Sequence, residues 1–110
     1  MPAIGYEEAN VPLFDRLLLS IPGVHRGKMF GLPGYRLGRK TFAILYGGGV
    51  AVKLGEMEAA RLSAADPGIT PFEPLKGIQW REWALITRPD AAAYRDDEPI
   101  LLRALEFIAT

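Results

Sequence analysis

The sequence predicts a two-layer α+β domain, in which helices pack on one face of an antiparallel β-sheet of about five strands. Two observations lead to this prediction. Apolar spacing gives the order helix, three strands, helix, one or two strands, helix, and the turns between consecutive strands are too short for parallel crossovers. The length of 110 residues suits one hydrophobic core, so we expect a single domain over residues 1–110.

The first predicted helix covers residues 11–20. Ile21-Pro22-Gly23 should end it, because proline disfavours helical backbone at the preceding residue and glycine permits a turn. Its apolar residues recur at helical spacing: Leu13, Phe14, Leu17, Leu18 and Ile21.

Three strands are predicted next. Residues 24–30 have strand character, and a second region leads from residues 35–37 into residues 41–46. Gly47-Gly48-Gly49 then separates this region from residues 50–54, and consecutive glycines readily reach the positive φ that a tight hairpin needs. An antiparallel pair is therefore expected here.

The second half should hold two more helices. Residues 56–65 are rich in good helix formers and are followed by Asp66-Pro67-Gly68, while acids and a proline at residues 96–99 mark the start of the last helix. Between them we expect a short extended piece at residues 70–72 and a strand at residues 80–88. Residues three apart in a regular strand face opposite ways, so of Trp80 and Trp83 one should lie in the core and the other be partly exposed.

Side-chain catalysis is not expected. The sequence has no cysteine, one histidine and two serines, Ser20 and Ser63, both in or at the end of a predicted helix. The carboxylate clusters fall at predicted helix starts, where the helix dipole favours negative charge, so no metal site and no cofactor is predicted. The absence of cysteine and of a long apolar run favours a cytoplasmic protein with no membrane contact.

Basic residues concentrate in the middle of the chain. Residues 16–54 contain seven of them and no acid, although the net charge is zero. If Met29 points into the core, alternation places Arg26, Lys28 and Lys53 on the sheet surface that helices leave uncovered, with the rest near one edge. This set is a candidate contact for an anion or a nucleic acid, or else a solvated face that pairs with the acidic half of the molecule: Arg26, Lys28, Arg36, Arg39, Lys40 and Lys53.

We interpret the chain as a non-enzymatic regulatory or protein-binding module, with a weak nucleic-acid contact as an option and a homodimer left open. The alternative is a small-ligand binder or an unrecognised enzyme. Its cleft would lie between the glycine-rich segment and the late strand, where four residues could converge: His25, Tyr35, Glu82 and Trp83.

Five segments, in this order, carry a resemblance to a known family: Lys28-Met29-Phe30-Gly31, Phe42-Ala43-Ile44-Leu45, Val50-Ala51-Val52-Lys53-Leu54, Pro71-Phe72, and Arg81-Glu82-Trp83. Over roughly residues 11–109 the sequence resembles the TfoX N-terminal domain and the related YjbR group. The resemblance implies an αβββαββα arrangement like that of type III secretion chaperones, and a regulatory or DNA-binding role. Competence regulators of the TfoX kind also carry a C-terminal helical domain, so we do not expect these 110 residues alone to regulate competence. No catalytic residues follow from the resemblance.

Overall fold

A computed structural model describes residues 5–109. Three α-helices are present: α1 (Val11–Leu18), α2 (Glu56–Ala65) and α3 (Glu98–Ala109). Short 3-10 helices, Glu8–Asn10 and Ala91–Asp97, precede α1 and α3. The strands are β1 (Val24–Met29), β2 (Leu32–Leu37), β3 (Lys40–Tyr46), β4 (Gly49–Lys53), β5 (Ile69–Leu75) and β6 (Ile78–Ile86).

The six strands form one antiparallel sheet in the order β1-β2-β3-β4-β6-β5. This confirms the α+β class, with one strand more than expected. The region predicted as one strand from Tyr35 to Tyr46 is two strands, because Gly38, with φ 63°, turns the chain between Leu37 and Lys40. The hairpin between β3 and β4 is as predicted, with Tyr46 paired to Gly49 across Gly47-Gly48.

The predicted helices are present with small shifts at their ends. Helix α2 has the predicted bounds, and α1 ends at Leu18, two residues earlier than expected. Helix α3 begins at Glu98, with Pro99 in its first turn, where the missing N–H of proline is not needed. The acid before it, Asp97, is buried and binds Arg88.

The main core lies between the helices and one face of the sheet, which we call the helix face. Strand residues on this face alternate with those on the opposite one, as the pairs Ala43 with Val52 and Val52 with Ala84 show. Side chains of all three helices join the same cluster, including Phe14, Leu18, Leu62, Leu101 and Leu105.

The opposite face, which we call the open face, has a smaller core built from strand residues alone. Leu32, Ile44, Ala51, Phe72 and Trp83 are buried there, with Met29, Tyr46, Trp80 and Leu85 packed around them. The pairing of β5 with β6 is irregular, since Pro71 pairs with Ala84 while the next residue, Phe72, pairs with Trp80. Extra residues on β6 bend a strand pair, so the far half of this hairpin folds toward β3.

A hydrogen bond across this face shows how strongly the sheet curls. The hydroxyl of Tyr46 on β3 donates to the carbonyl oxygen of Pro74 on β5 at 2.7 Å. Three strand spacings separate β3 from β5, which is roughly 14 Å in a flat sheet. The rings of Tyr46 and Phe72 also meet edge to face, with centroids 4.9 Å apart. The open face is therefore concave and partly filled.

The two tryptophans lie on the same side of the sheet, so the prediction that they face opposite ways is wrong. Their ring centroids are 5.4 Å apart, and both pack against Phe72. The pairing of β6 with β5 is irregular between Trp80 and Ala84, so the side chains of this stretch do not alternate as they do in a regular strand. The expected difference in burial is confirmed, because Trp83 is buried and Trp80 is only half-buried. Within residues 5–109, no helix is both long and apolar enough to cross a lipid bilayer.

Candidate functional site

The two edges of the sheet differ in their capacity to pair with another strand. Strand β5 contains Pro71 and Pro74, and proline has no backbone N–H to donate to a neighbouring strand. Strand β1 contains no proline, and within the described part of the chain it pairs with β2 alone. Edge strands expose a row of backbone donors and acceptors, so β1 is the edge that a further strand could extend.

The side chains of β1 alternate between the two faces of the sheet. Arg26 pairs with Tyr35 and Lys28 with Pro33, and Tyr35 belongs to the main core. Arg26 and Lys28 therefore lie on the helix face, two residues apart along the edge. Met29 lies on the open face, against the second cluster.

A shallow groove of about 500 Å³ runs beside β1. Its lining combines two cations with two rings and two glycines: Tyr6, Arg26, Gly27, Lys28, Gly31 and Pro33. Tyr6 reaches the groove because the chain before α1 is tied to the β3–β4 turn, where the amide of Gly47 donates to the carbonyl oxygen of Gly5 at 2.8 Å. Sequence reasoning missed Tyr6, since it falls outside every predicted helix and strand.

Asp15 on α1 organises one end of this groove. It accepts a 2.7 Å hydrogen bond from the hydroxyl of Tyr35 at Oδ1, and its Oδ2 lies 3.4 Å from Nη1 of Arg26. Burial raises the pKa of Tyr35 above its ordinary value, and the bond to Asp15 raises it further, so the hydroxyl stays protonated and donates. The Asp15 carboxylate thus neutralises part of the positive charge of the Arg26 guanidinium. Lys28 forms no ion pair with any acid in residues 5–109.

The prediction that Arg26, Lys28 and Lys53 form one basic surface on the open face is wrong. Lys53 does lie on that face, paired with Trp83 and 3.8 Å from Glu82, whereas Arg26 and Lys28 lie on the other face. The reason is that burial of Val24 and Tyr35 in the main core fixes the parity of β1 and β2.

The other three predicted basic residues are also dispersed. Arg36 lies on the open face, where it covers Gly27 and donates to the carbonyl oxygen of Arg39 at 3.0 Å. Arg39 is exposed in the β2–β3 turn. Nζ of Lys40 donates to the carbonyl oxygen of Ile108 at 3.0 Å, near the end of α3 where the helix dipole favours a cation.

The four residues of the alternative cleft do not converge. Tyr35 on β2 is buried on the helix face, while Trp83 on β6 is buried on the open face, with β3 and β4 between their strands. His25 is exposed on β1, the edge strand. Glu82 is exposed beside Lys53.

A second aromatic feature lies at the turn between β1 and β2. Phe30 has φ 57°, a left-handed conformation that costs a residue with a side chain about 1–2 kcal/mol. The residue is 55% exposed, and its ring rests on that of Trp80, with centroids 5.5 Å apart. Leu75 and Ile78, at the tip of the β5–β6 hairpin, are also exposed apolar residues. The sequence carries no signal for this contact, because it depends on the bend in β6.

The most complete polar cluster surrounds Arg88, just after β6. Its guanidinium donates to both carboxylate oxygens of Asp97 and to both of Asp66, over 2.7–3.2 Å. The Arg88 amide donates to the hydroxyl of Tyr94, which in turn donates to the carbonyl oxygen of Gly48 at 3.0 Å. The bond from Arg88 lowers the pKa of Asp66. Each charged group has its partners within the cluster, so the role of the cluster is to join the end of α2, the end of β6, the β3–β4 turn and the start of α3.

A second groove, of about 550 Å³, separates α2 from the β5–β6 hairpin. Small side chains of α2 form one wall, including Ala60, Ser63 and Ala64, and Trp83, Gln79 and Arg81 lie across from them. Across residues 5–109, no three acidic or histidine side chains gather in a way that could hold a metal ion.

The fold and these surfaces define a two-layer α+β domain with one sheet edge open to pairing and a basic groove beside it. No protein-family model, curated protein or solved structure matches the chain.

Proposed function

We propose that the chain is a non-enzymatic protein-binding module that takes up an extended segment of a partner protein as an additional strand beside β1. One observation carries this proposal. The edge strand β1 has no proline and no neighbour other than β2 within residues 5–109, whereas the opposite edge contains Pro71 and Pro74. Recognition by strand addition needs such an edge.

Strand β1 is long enough to form several backbone hydrogen bonds with an added strand. In an antiparallel ladder successive residues direct their backbone groups alternately toward one neighbour and the other. Six residues therefore present roughly three outward pairs of N–H and C=O groups, and each bond formed contributes about 0.5–1.5 kcal/mol net. Such an interaction is weak by itself, and contacts from side chains must supply the rest.

The placement of the basic residues favours this function over nucleic-acid binding. A nucleic-acid backbone needs several cations along one track, and here Arg26 and Lys28 lie on one face of the sheet, while Arg36 and Lys53 lie on the other. The regulatory role, the cytoplasmic location and the relation to the TfoX N-terminal domain belong to the same proposal. The observed order αββββαββα differs from the arrangement implied by that resemblance by one strand.

A selection experiment tests the proposal directly. A display library of random twelve-residue peptides is selected against the full chain, and hydrogen exchange of the backbone amides is measured with each enriched peptide bound. We expect slower exchange in β1, because its outward amides gain acceptors. Failure to enrich any peptide, or protection confined to β5 or α2, would contradict strand addition at this edge.

A second candidate function is the binding of a small ligand in the groove between α2 and the β5–β6 hairpin. Its favouring observation is the combination of a tryptophan wall, Trp83, with Ser63, Gln79 and Arg81 as polar groups. A thermal-shift screen over nucleotides and metabolites tests it, since a ligand that binds the folded state raises Tm. A hit that Ala60→Trp abolishes by filling the groove would support this function, and a screen without hits would count against it.

A further inference from the structure

The basic groove beside β1 determines which segment fits, and this step rests on the proposed strand addition. We infer that the partner segment is acidic, with carboxylate side chains at alternate positions that face Arg26 and Lys28. The groove lies on the helix face of β1 and is formed in part by these two cations. Partner residues on that face would point their side chains into it.

Geometry sets the spacing of the acids. Arg26 and Lys28 are two residues apart on one strand, and so point to the same face. A strand paired with β1 places its own side chains about 5 Å from those directly opposite, again at every second position. Two carboxylates separated by one residue would therefore meet the two cations, and opposite charges at such positions stabilise strand pairing.

Only part of the positive charge of the groove is neutralised by acids of the described residues. Asp15 contacts Arg26 at 3.4 Å, but the same carboxylate also accepts the hydroxyl of Tyr35 at 2.7 Å. Lys28 has no ion-pair partner in the described residues, and both cations are exposed. The groove therefore keeps an excess of positive charge that an acidic segment can neutralise.

A second copy of this chain fits the same edge poorly. If two copies of β1 paired with their helices on the same side of the sheet, residues of equal parity would lie opposite each other. A register centred on Gly27 would then place Arg26 of one copy opposite Lys28 of the other. A register centred on Arg26 would place the two copies of Arg26 opposite each other. Like charges directly opposite are destabilising.

Synthetic peptides test the inference with the intact chain. The probe is an eight-residue peptide of alternating threonine and glutamate, blocked at both ends, and its matched controls replace glutamate with glutamine or lysine. Binding is followed by chemical shifts of the β1 amides at low salt. We expect the glutamate peptide to bind about fivefold more tightly than the glutamine peptide, equivalent to ~1 kcal/mol for two exposed charge pairs. The lysine peptide should bind least.

Two variants separate this groove from general charge effects. Lys28→Glu should remove the preference for the glutamate peptide, whereas Lys76→Glu, an equal change of charge at the exposed tip of the β5–β6 hairpin, should leave it. Two further glutamate peptides are N-methylated at alternate residues, one at its threonines and the other at its glutamates. One of the two should lose binding, because its methylated amides lie along the edge that faces β1 and can neither donate to β1 nor approach it.

The outcomes distinguish the inference from the proposed function. Equal binding of the glutamate and glutamine peptides at β1 would overturn the acidic preference and leave strand addition standing. If both N-methylated glutamate peptides bind as tightly as the unmethylated peptide, strand addition is overturned. Shifts in β1 caused by a single-stranded DNA oligonucleotide, but by none of the peptides, would overturn both and favour a nucleic-acid partner.

Discussion

Nη2 of Arg88 lies 2.7 Å from Oδ1 of Asp97, and the Asp97 side chain is almost fully buried. Arg88 follows β6 and Asp97 ends the 3-10 helix before α3, so this pair fixes the position of the last helix against the sheet. A second pair, between Arg88 and the more exposed Asp66, adds the end of α2 to the same junction.

Removing one partner of a buried ion pair leaves the other uncompensated, so Asp97→Ala should lower the free energy of unfolding by roughly 2–3 kcal/mol, with Asp66 retaining part of the interaction. Asp66→Ala should cost less, because Asp66 is more exposed to water. Urea unfolding of both variants at pH 7 measures the difference. The reverse order of the two losses would contradict the role assigned to Asp97.

Acid should weaken the fold through Asp66 and Glu58. Hydrogen bonds from Arg88 and Arg61 lower the pKa of these carboxyls below their ordinary values of 3.8 and 4.5. Each contribution is complete above the ordinary pKa and is lost as the pH falls through the lower folded value. Asp66→Asn should therefore show a smaller loss of stability between pH 5 and pH 2 than the unchanged chain. Glu106→Gln, at an exposed position, is the matched control for the loss of one carboxylate.

Alkali should weaken the fold through Tyr35 and Tyr94. Burial raises the pKa of both hydroxyls above the ordinary value of 10.0, so their contribution is complete below pH 10 and is lost as the pH rises further. Tyr35→Phe removes the bond to Asp15 and should cost about 1 kcal/mol at pH 7. The same variant should lose less stability than the unchanged chain between pH 9 and pH 11. Tyr6→Phe, at an exposed ring, is the matched control for the loss of one hydroxyl, and parallel curves for all three proteins would refute the assignment.

The strained turn at Phe30 predicts an uneven response to substitution. Phe30→Asn should change the free energy of unfolding by less than about 1 kcal/mol, because asparagine tolerates the left-handed backbone while the contact with Trp80 is lost. Phe30→Leu loses the aromatic contact and keeps the strain, so it should be less stable than Phe30→Asn. Urea unfolding ranks them, and tryptophan emission should shift to longer wavelength in both. A more stable leucine variant would show that packing outweighs strain here.

The second core on the open face should matter as much as a conventional core. Phe72→Ala removes a fully buried ring that contacts Tyr46, Trp80 and Trp83, and should cost roughly 3–5 kcal/mol. Leu75→Ala, at an exposed residue of the same strand, should change stability little. Equal small losses in the two variants would mean that the open face contributes no core.

The pattern of apolar residues was sufficient to predict the layers of this fold. Helix α2 and the hairpin at Gly47-Gly48 follow from strong local signals, namely helix formers with a defined stop and consecutive glycines between two β-favouring runs. The turn at Gly38 was missed because a single glycine between Leu37 and Arg39 resembles an interruption within a strand as much as a reversal.

The candidate site depended on long-range features that local patterns do not contain. The predicted orientation of Arg26 and Lys28 assumed that Met29 faces the main core, whereas a second core on the open face accommodates it. Trp80 joins that second core because β6 is irregular between Trp80 and Ala84. A basic segment could therefore be recognised from the sequence, but its division between two faces could not.

The two prolines of β5 also limit how many chains one sheet can join. A sheet open at both edges can add neighbours without end, as fibrous assemblies do. Here growth is favoured beside β1 alone, so strands can be added on one side of the sheet only. On this basis one domain cannot bridge two segments through its opposite edges.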